Sequence, residues 1–173
     1  MRKVFIITGP ESSGSSFVSK IIAYYLGAIK NIDDWTGRSY CKSLNPNVVI
    51  LHRSQPTRTV NQYCSLKEFK EEIQQQFGPY ADIHFIITTR YHEFCNLSKI
   101  KRWQRTSEDI ANNMLESKLI LSEIIKSNEK YMIWNYETML YLNEVYFDVL
   151  YDFVGGINKY YPKVTDGNIN YMK

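Results

Sequence analysis

The chain has 173 residues, of which 44% are hydrophobic and 23% charged, and its formal net charge is +3. These values are typical of one ordinary globular domain of the soluble kind. The charge is too small to indicate a nucleic-acid partner, although it is compatible with a small anionic ligand. No apolar run approaches the roughly 18 residues that a membrane span needs, so no membrane partner is expected.

Three cysteines, Cys41, Cys64 and Cys95, stand at spacings that fit neither a metal site nor a disulfide framework. Cysteines without a disulfide framework are typical of proteins in a reducing compartment. The apolar run near the N-terminus, Val4–Ile7, is too short for the core of a signal peptide. We therefore expect a cytoplasmic protein built as a single domain over residues 1–173.

Short β-branched and aromatic runs alternate with longer helical patterns along the chain. The runs are nearly all apolar, as expected where helices cover both faces of a sheet. This alternation predicts an α/β, three-layer P-loop-type fold with a central, mostly parallel sheet flanked by helices. The predicted strands are Val4–Thr8, Val48–Leu51, His84–Thr89 and Tyr131–Trp134.

Helical periodicity and capping residues predict the main helices. Ser65 is a plausible cap with Glu68 three residues later, and Ser107 is the predicted cap of a longer helix. That longer helix is expected to bury Ile110, Met114, Leu121 and Ile125. The predicted helices are 15–26, 65–77, 107–128 and 137–154, the predicted loops are 28–46 and 57–63, and 156–173 is an irregular tail.

The stretch GPESSGSS follows the first predicted strand and precedes the first helix. Gly9 and Gly14 have the glycine spacing of G-x-x-x-x-G-K-[ST], and the backbone of such a loop can cradle an anion. Ser15 stands where a nucleoside triphosphatase has its lysine, while Ser16 keeps the hydroxyl. No predicted strand ends in the aspartate that helps to hold Mg²⁺. A serine-rich turn without a ligand is the alternative interpretation.

Arg90 follows the third predicted strand, and Ser98 lies eight positions later. An arginine fork suits phosphate oxygens, and a serine hydroxyl can add a further donor. Because the ends of parallel strands meet at one crevice, Arg90 and the loop at Gly9–Ser16 can bind two separated anionic groups of one ligand. The alternative interpretation is that Arg90 forms a surface ion pair and that Ser98 only lies near the start of a helix.

Together these motifs resemble those of the sulfotransferase family. The loop is similar to the family's 5′-phosphosulfate loop, whose pattern is P-K-S-G-T-T-W. The Arg90–Ser98 pair has the spacing of the family's 3′-phosphate motif. The segments YMIWNYETML and DFVGG are similar to a later strand, turn and helix end of that fold. The residues that fall on the family's Pro, Ser, Gly, two Thr and Trp are Pro10, Ser13, Gly14, Ser15, Ser16 and Phe17.

The resemblance implies 3′-phosphoadenosine 5′-phosphosulfate (PAPS) as the donor and adenosine 3′,5′-bisphosphate (PAP) as the product, without a metal. It places Arg90 and Ser98 at the 3′-phosphate and Tyr136 at the edge of the adenine. Phe17 either stacks on the adenine or packs in the core. The residues expected around the 5′ end are Pro10, Glu11, Ser12, Ser13, Gly14, Ser15 and Ser16.

His52 follows the second predicted strand and is the candidate general base, which would take the proton of a hydroxyl or amine acceptor. A purely structural histidine is the alternative. His84 and His92 are assigned to structure or solvent. The acceptor is expected to be a small molecule or a saccharide, and Trp35 and Tyr40 are candidates to pack against it.

The sequence departs from the family at the loop lysine, where Ser12 stands instead. The candidate cation to replace it is Arg53 or a lysine from the tail. The family's C-terminal Arg-Lys-Gly is also absent, and Lys159 and Lys163 are not assigned to the site. The basic segment Lys99–Arg105 either attracts an anionic acceptor or, as we expect, forms a solvated helix face.

Two alternative functions stay open, an ATP-dependent kinase and a catalytically weak PAP- or PAPS-binding protein.

Overall fold

The computed structural model describes residues 2–36, 43–55 and 64–172. Four strands form one sheet in the order β2-β1-β3-β4, and every neighbouring pair is parallel. The predicted α/β class is therefore confirmed. The strands are β1 (Lys3–Pro10), β2 (Val48–Gln55), β3 (Asp82–Thr89) and β4 (Lys130–Asn135).

Helices lie between and after the strands. The segments Ile32–Asp34 and Gly167–Tyr171 form short 3₁₀ turns, and we name the latter the C-terminal turn. No helix in the described ranges has both the length and the apolar character to cross a bilayer. The helices are α1 (Ser15–Tyr25), α2 (Leu66–Phe77), α3 (His92–Trp103), α4 (Ser107–Lys126), α5 (Tyr136–Leu142) and α6 (Glu144–Val154).

The sheet separates two apolar cores, because successive side chains of a strand point to opposite faces. Phe5 and Ile7 of β1 join a core that contains residues of α1 and α6. Val4 and Ile6 join the other core, which contains residues of α2 and α4. This arrangement confirms the three layers that the sequence predicted.

The predicted helix over 137–154 is two helices in the structure. Asn143 has φ +46° and ψ −120°, so it cannot continue a helix. Its N–H bonds to the carbonyl of Met139 at the end of α5, and its own carbonyl accepts the N–H of Phe147 in α6. Asparagine tolerates a positive φ better than most residues, which explains its place at this junction.

The cap and the buried face of α4 also differ from the prediction. Thr106 caps the helix, and Asp109 completes the capping box, so Ser107 is the first helical residue. Met114 and Leu121 are only partly buried and Ile125 is 42% exposed, so these three residues lie beside the buried face. That face consists of Ile110, Asn113, Ser117, Ile120 and Ile124.

Strand β2 is longer than predicted. Its pairing with β1 continues until Gln55 lies opposite Pro10, four residues beyond Leu51, which was the expected end. His52 therefore lies within the strand, opposite Ile7, rather than in the loop after it. This placement fixes the backbone of His52 through the pairing of β2 with β1.

Candidate active site

A cavity of about 570 Å³ opens where β1, β2 and β3 end. Strand β2 contributes His52 and Ser54, and Arg90 and Ser98 come from the end of β3 and from α3. The cavity thus brings together the loop, the candidate base and the Arg90–Ser98 pair, as the sequence predicted. The loop residues that line it are Glu11, Ser12, Gly14, Ser15, Ser16 and Phe17.

The loop between β1 and α1 presents unsatisfied donors to this cavity. Gly14 is the N-cap of α1 with φ +91°, and no side chain caps the helix. Ser12 also has a positive φ, +70°, and its buried Oγ has no hydrogen-bond partner within the described residues. Because helix N-terminal N–H groups attract anions, the loop is suited to hold a phosphate group.

A buried polar network holds the loop to the ends of the strands. The Oγ of Ser13 is 2.7 Å from the Oγ1 of Thr88, which donates to the carbonyl of Thr8 at 3.1 Å. The side-chain amide of Gln55 donates to Thr8 Oγ1 at 2.9 Å. Ser13 therefore fixes the loop and does not line the cavity.

His52 contacts the loop directly. Its Nε2 is 2.7 Å from the Oγ of Ser15 and 3.3 Å from the Oγ of Ser54. A general base must lie within hydrogen-bond reach of the hydroxyl that it deprotonates. The structure therefore places an imidazole nitrogen among hydroxyl groups inside the cavity, next to the N-terminus of α1.

Arg53 and Pro10 do not line the cavity. Adjacent residues of a strand point to opposite faces, so Arg53 points away from the face of His52. Burial lowers the pKa of the Arg53 guanidinium, and the charge of Glu72 on α2 opposes this shift. Arg53 therefore does not line the cavity, and the structure gives no support to the expectation that it replaces the loop lysine.

Arg90 joins three parts of the chain. Its Nη1 donates to the carbonyl of Ser12 at 3.2 Å, and its Nε and Nη2 donate to Oδ1 of Asn168 at 2.8 and 2.5 Å. Its guanidinium carbon lies 4.6 Å from the centre of the Tyr136 ring. Arg90 lines the cavity while it holds the loop against the C-terminal turn.

The aromatic candidates have different positions. Phe17 lines the cavity and also packs edge-on against Phe147 at 6.4 Å, so both of its expected roles remain compatible with the structure. Tyr136 lies outside the cavity lining, and its hydroxyl accepts the N–H of Gly167 at 2.8 Å. Trp35 packs against the core on the α1 side. Tyr40 lies outside the described residues.

The basic segment Lys99–Arg105 is not a uniformly solvated helix face. Lys99 is only 2% exposed, and Arg102 lines the cavity together with Trp103. Burial lowers the pKa of the Lys99 ammonium, and the charge of Glu11 opposes this shift. The Oε2 of Glu11 is itself buried and has no hydrogen-bond partner in the described part of the chain. A buried cation and a half-buried carboxylate therefore influence each other beside the loop.

Replacing Lys99 with methionine should raise the free energy of unfolding at pH 7, because the cost of burying the charged ammonium outweighs its attraction to Glu11. The lowered pKa means that the unfolded chain holds this proton more tightly. The native protein therefore gains stability as the pH rises through the interval below the ordinary lysine pKa. Urea denaturation between pH 7 and 10 should show the wild type approaching the Lys99→Met variant.

Lys118→Met, at an exposed position of α4, is the matched control and should leave the pH dependence unchanged. Burial raises the pKa of Tyr25, so the loss of stability that its titration causes begins only near the ordinary tyrosine pKa of about 10, at the upper end of this interval. It is present in every variant, so the difference between the two curves isolates Lys99. A constant gap between Lys99→Met and the wild type would contradict the assignment.

Several residues of the cavity wall were not predicted from the sequence. Asn170 and Tyr171 come from a tail without periodicity, and Asn168 reaches Arg90 across 78 positions of the chain. No local pattern predicts such a contact. Ser54 could have been recognised, because it lies two positions from His52 in a strand and so points to the same face.

Comparison of the chain with protein-family models, with curated proteins and with solved structures found no match. Any function therefore has to be argued from the chemistry of the cavity.

Proposed function

We propose that this chain is a sulfotransferase that moves a sulfuryl group from PAPS to a hydroxyl or amine of a small molecule or saccharide. The main support is that Nε2 of His52 lies 2.7 Å from the Oγ of Ser15, in a cavity that also holds the uncapped loop and Arg90. A base and two separated groups of anion donors thus face one space. The resemblance of the motifs supports the same function.

The residues present fit a nucleotide with phosphates at two places. The N-terminal amides of α1 and the unpartnered hydroxyl of Ser12 would hold the 5′ end. Arg90 and Ser98 would hold the 3′-phosphate at the α3 side of the cavity. The cavity, about 570 Å³, falls in the size range of small-molecule sites.

When bound, PAPS supplies a sulfuryl group whose transfer leaves a phosphate oxygen with added negative charge. His52 would take the proton of the acceptor, and Ser15 would hold the imidazole in position by its hydrogen bond. The loop amides and Ser12 would donate hydrogen bonds to the oxygen that gains charge.

A catalytically weak PAP-binding protein is the second candidate. Ser12 carries no charge where the related loops have lysine, and the arginines that line the cavity, Arg90 and Arg102, come from the β3–α3 side. Losing one preorganised donor at such a site costs about 10²–10³ in rate. Binding of PAP without turnover would favour this candidate, whereas the kinase alternative lacks both the loop lysine and the strand-end aspartate.

Thermal and urea unfolding with PAP test the proposal first. PAP at about 100 times its dissociation constant should add about 2.7 kcal/mol to the free energy of unfolding, in the absence of Mg²⁺. Arg90→Ala should weaken PAP binding at least about tenfold, since it removes charge-assisted bonds to a phosphate. Stabilisation by ATP with Mg²⁺ but not by PAP would overturn the proposal in favour of a kinase.

Two control variants separate the effect of the bidentate geometry of Arg90 on PAP binding from the effect of its charge. Arg90→Lys keeps the charge but loses the bidentate geometry, and it should bind PAP with intermediate affinity. Arg2→Ala removes a charge at an exposed position far from the cavity lining and should bind PAP as the wild type does. Equal weakening in Arg2→Ala would mean that net charge alone drives binding.

A further inference from the structure

The C-terminal turn packs onto the guanidinium of Arg90. Asn168 is 3% exposed, and its Oδ1 accepts hydrogen bonds from both Nε and Nη2 of Arg90. The N–H of Gly167 donates to the hydroxyl of Tyr136 at 2.8 Å, and the Tyr171 ring centre lies 5.7 Å from the guanidinium carbon. The contacts that hold this turn against the cavity therefore centre on one arginine and its aromatic neighbours.

The edge formed by Nε and Nη2 of an arginine is the edge that binds carboxylate or phosphate through two parallel hydrogen bonds. In the described part of the chain, the hydrogen-bond partners of the Arg90 guanidinium are the uncharged oxygens of Asn168 and Ser12. No carboxylate of that part forms an ion pair with it. A neutral carboxamide thus stands where an arginine fork prefers an anion.

We propose that Asn168 is an internal competitor that an anionic ester group of the ligand displaces from Arg90. Charge-assisted hydrogen bonds are about twice as strong as neutral ones, so a phosphate or sulfate ester can replace the amide oxygen. An uncharged group cannot, and Asn168 thereby selects ligands that carry charge at this end. The inference rests on the proposed function, which supplies the 3′-phosphate of PAP as the displacing group.

Dissociation constants of PAP and of AMP for Asn168 variants test the proposal. Asn168→Ala should bind PAP about three- to tenfold more tightly, because the competing hydrogen bonds are gone. Asn168→Asp should bind it about tenfold more weakly, because a carboxylate competes better. AMP has no 3′-phosphate and should bind both variants as it binds the wild type. Ile169→Ala, at a 65% exposed position of the same turn, is the control and should change neither constant.

Hydrogen exchange gives a readout that does not depend on affinity. Displacement of Asn168 loosens the turn, so the amide of Gly167 should exchange faster when PAP is bound. Slower exchange in the complex would mean that the turn closes over the ligand and would overturn the proposal. Asn168→Ala that binds PAP equally or more weakly than the wild type would also overturn it.

Failure of the proposed function gives a different result from failure of this inference. If neither the wild type nor Asn168→Ala binds PAP, the proposed function fails, and unfolding without any ligand decides the inference. Asn168→Asp should then unfold at higher temperature than the wild type at low salt, and Arg90→Ala should abolish this gain, because the new carboxylate pairs with the fork. No gain in Asn168→Asp would show that the fork does not prefer an anion.

Discussion

The Gly9→Ala variant should lose at least about 3 kcal/mol of unfolding free energy, because a methyl group at this position has no space. A Cβ on Gly9 would lie 2.2 Å from the carbonyl oxygen of Thr88 and 2.4 Å from its Oγ1. The first of these atoms belongs to the backbone of β3, so relief requires movement of a central strand. Urea denaturation measures the loss directly.

Gly155→Ala is the matched control for Gly9→Ala. Gly155 ends α6 with φ +69°, and a Cβ there would meet nothing within 4 Å. Its replacement should cost only about 1 kcal/mol, the strain of a left-handed alanine. If Gly9→Ala were no more destabilising than Gly155→Ala, the close approach of β1 and β3 would not be a constraint on the fold.

The close contact between Gly9 and Thr88 explains why a glycine stands here, and this reason differs from the expected role in anion binding. The spacing between Gly9 and Gly14 predicted that Gly9 belongs to the anion-binding loop. In the structure Gly9 lies within β1, opposite Ser54 of β2, and only Gly14 has a positive φ and lines the cavity. Of the two glycines in this motif, Gly9 therefore permits close strand packing and Gly14 shapes the loop.

The layers of the fold could be predicted because buried parallel strands have a distinct composition. Runs such as Val4–Thr8 and His84–Thr89 are apolar on both faces, and the structure buries nearly all of their residues. The face of α4 could not be predicted in the same way. The hydroxyl of buried Ser117 lies 2.9 Å from the carbonyl oxygen of Gln55 and 2.7 Å from that of Asn113, so it can donate to either, and hydrophobicity does not report such partners.

The candidate site was predictable where its residues follow strand ends. Parallel strands bring their carboxyl ends to one edge, so the loop, the C-terminal half of β2 with His52, and Arg90 meet even though up to 79 positions separate these residues in the chain. Residues outside this rule were missed. Asn168 belongs to an aperiodic tail, and Lys99 lies in a basic segment whose composition indicates solvent exposure.

The His52→Ala variant should lose about 10²–10⁴ in the rate of sulfuryl transfer, because the acceptor loses its general base. Its affinity for PAP should stay within about threefold of the wild type, since PAP presents no proton for His52 to remove. The measurement is the release of PAP from PAPS in the presence of a panel of hydroxyl and amine acceptors. A loss of binding and turnover together would instead assign His52 to the structure of the cavity.

Two further substitutions decide what the imidazole of His52 does. His52→Gln can keep a hydrogen bond to the Oγ of Ser15 but cannot accept a proton near neutral pH, so its turnover should fall as far as that of His52→Ala. His92→Ala is the matched control, because His92 is an exposed histidine at the start of α3 and lies outside the cavity lining. It should retain full turnover. Full turnover in His52→Gln would show that the imidazole only positions Ser15, and the hydroxyl of Ser15 or Ser54 would then be the group to examine for proton transfer.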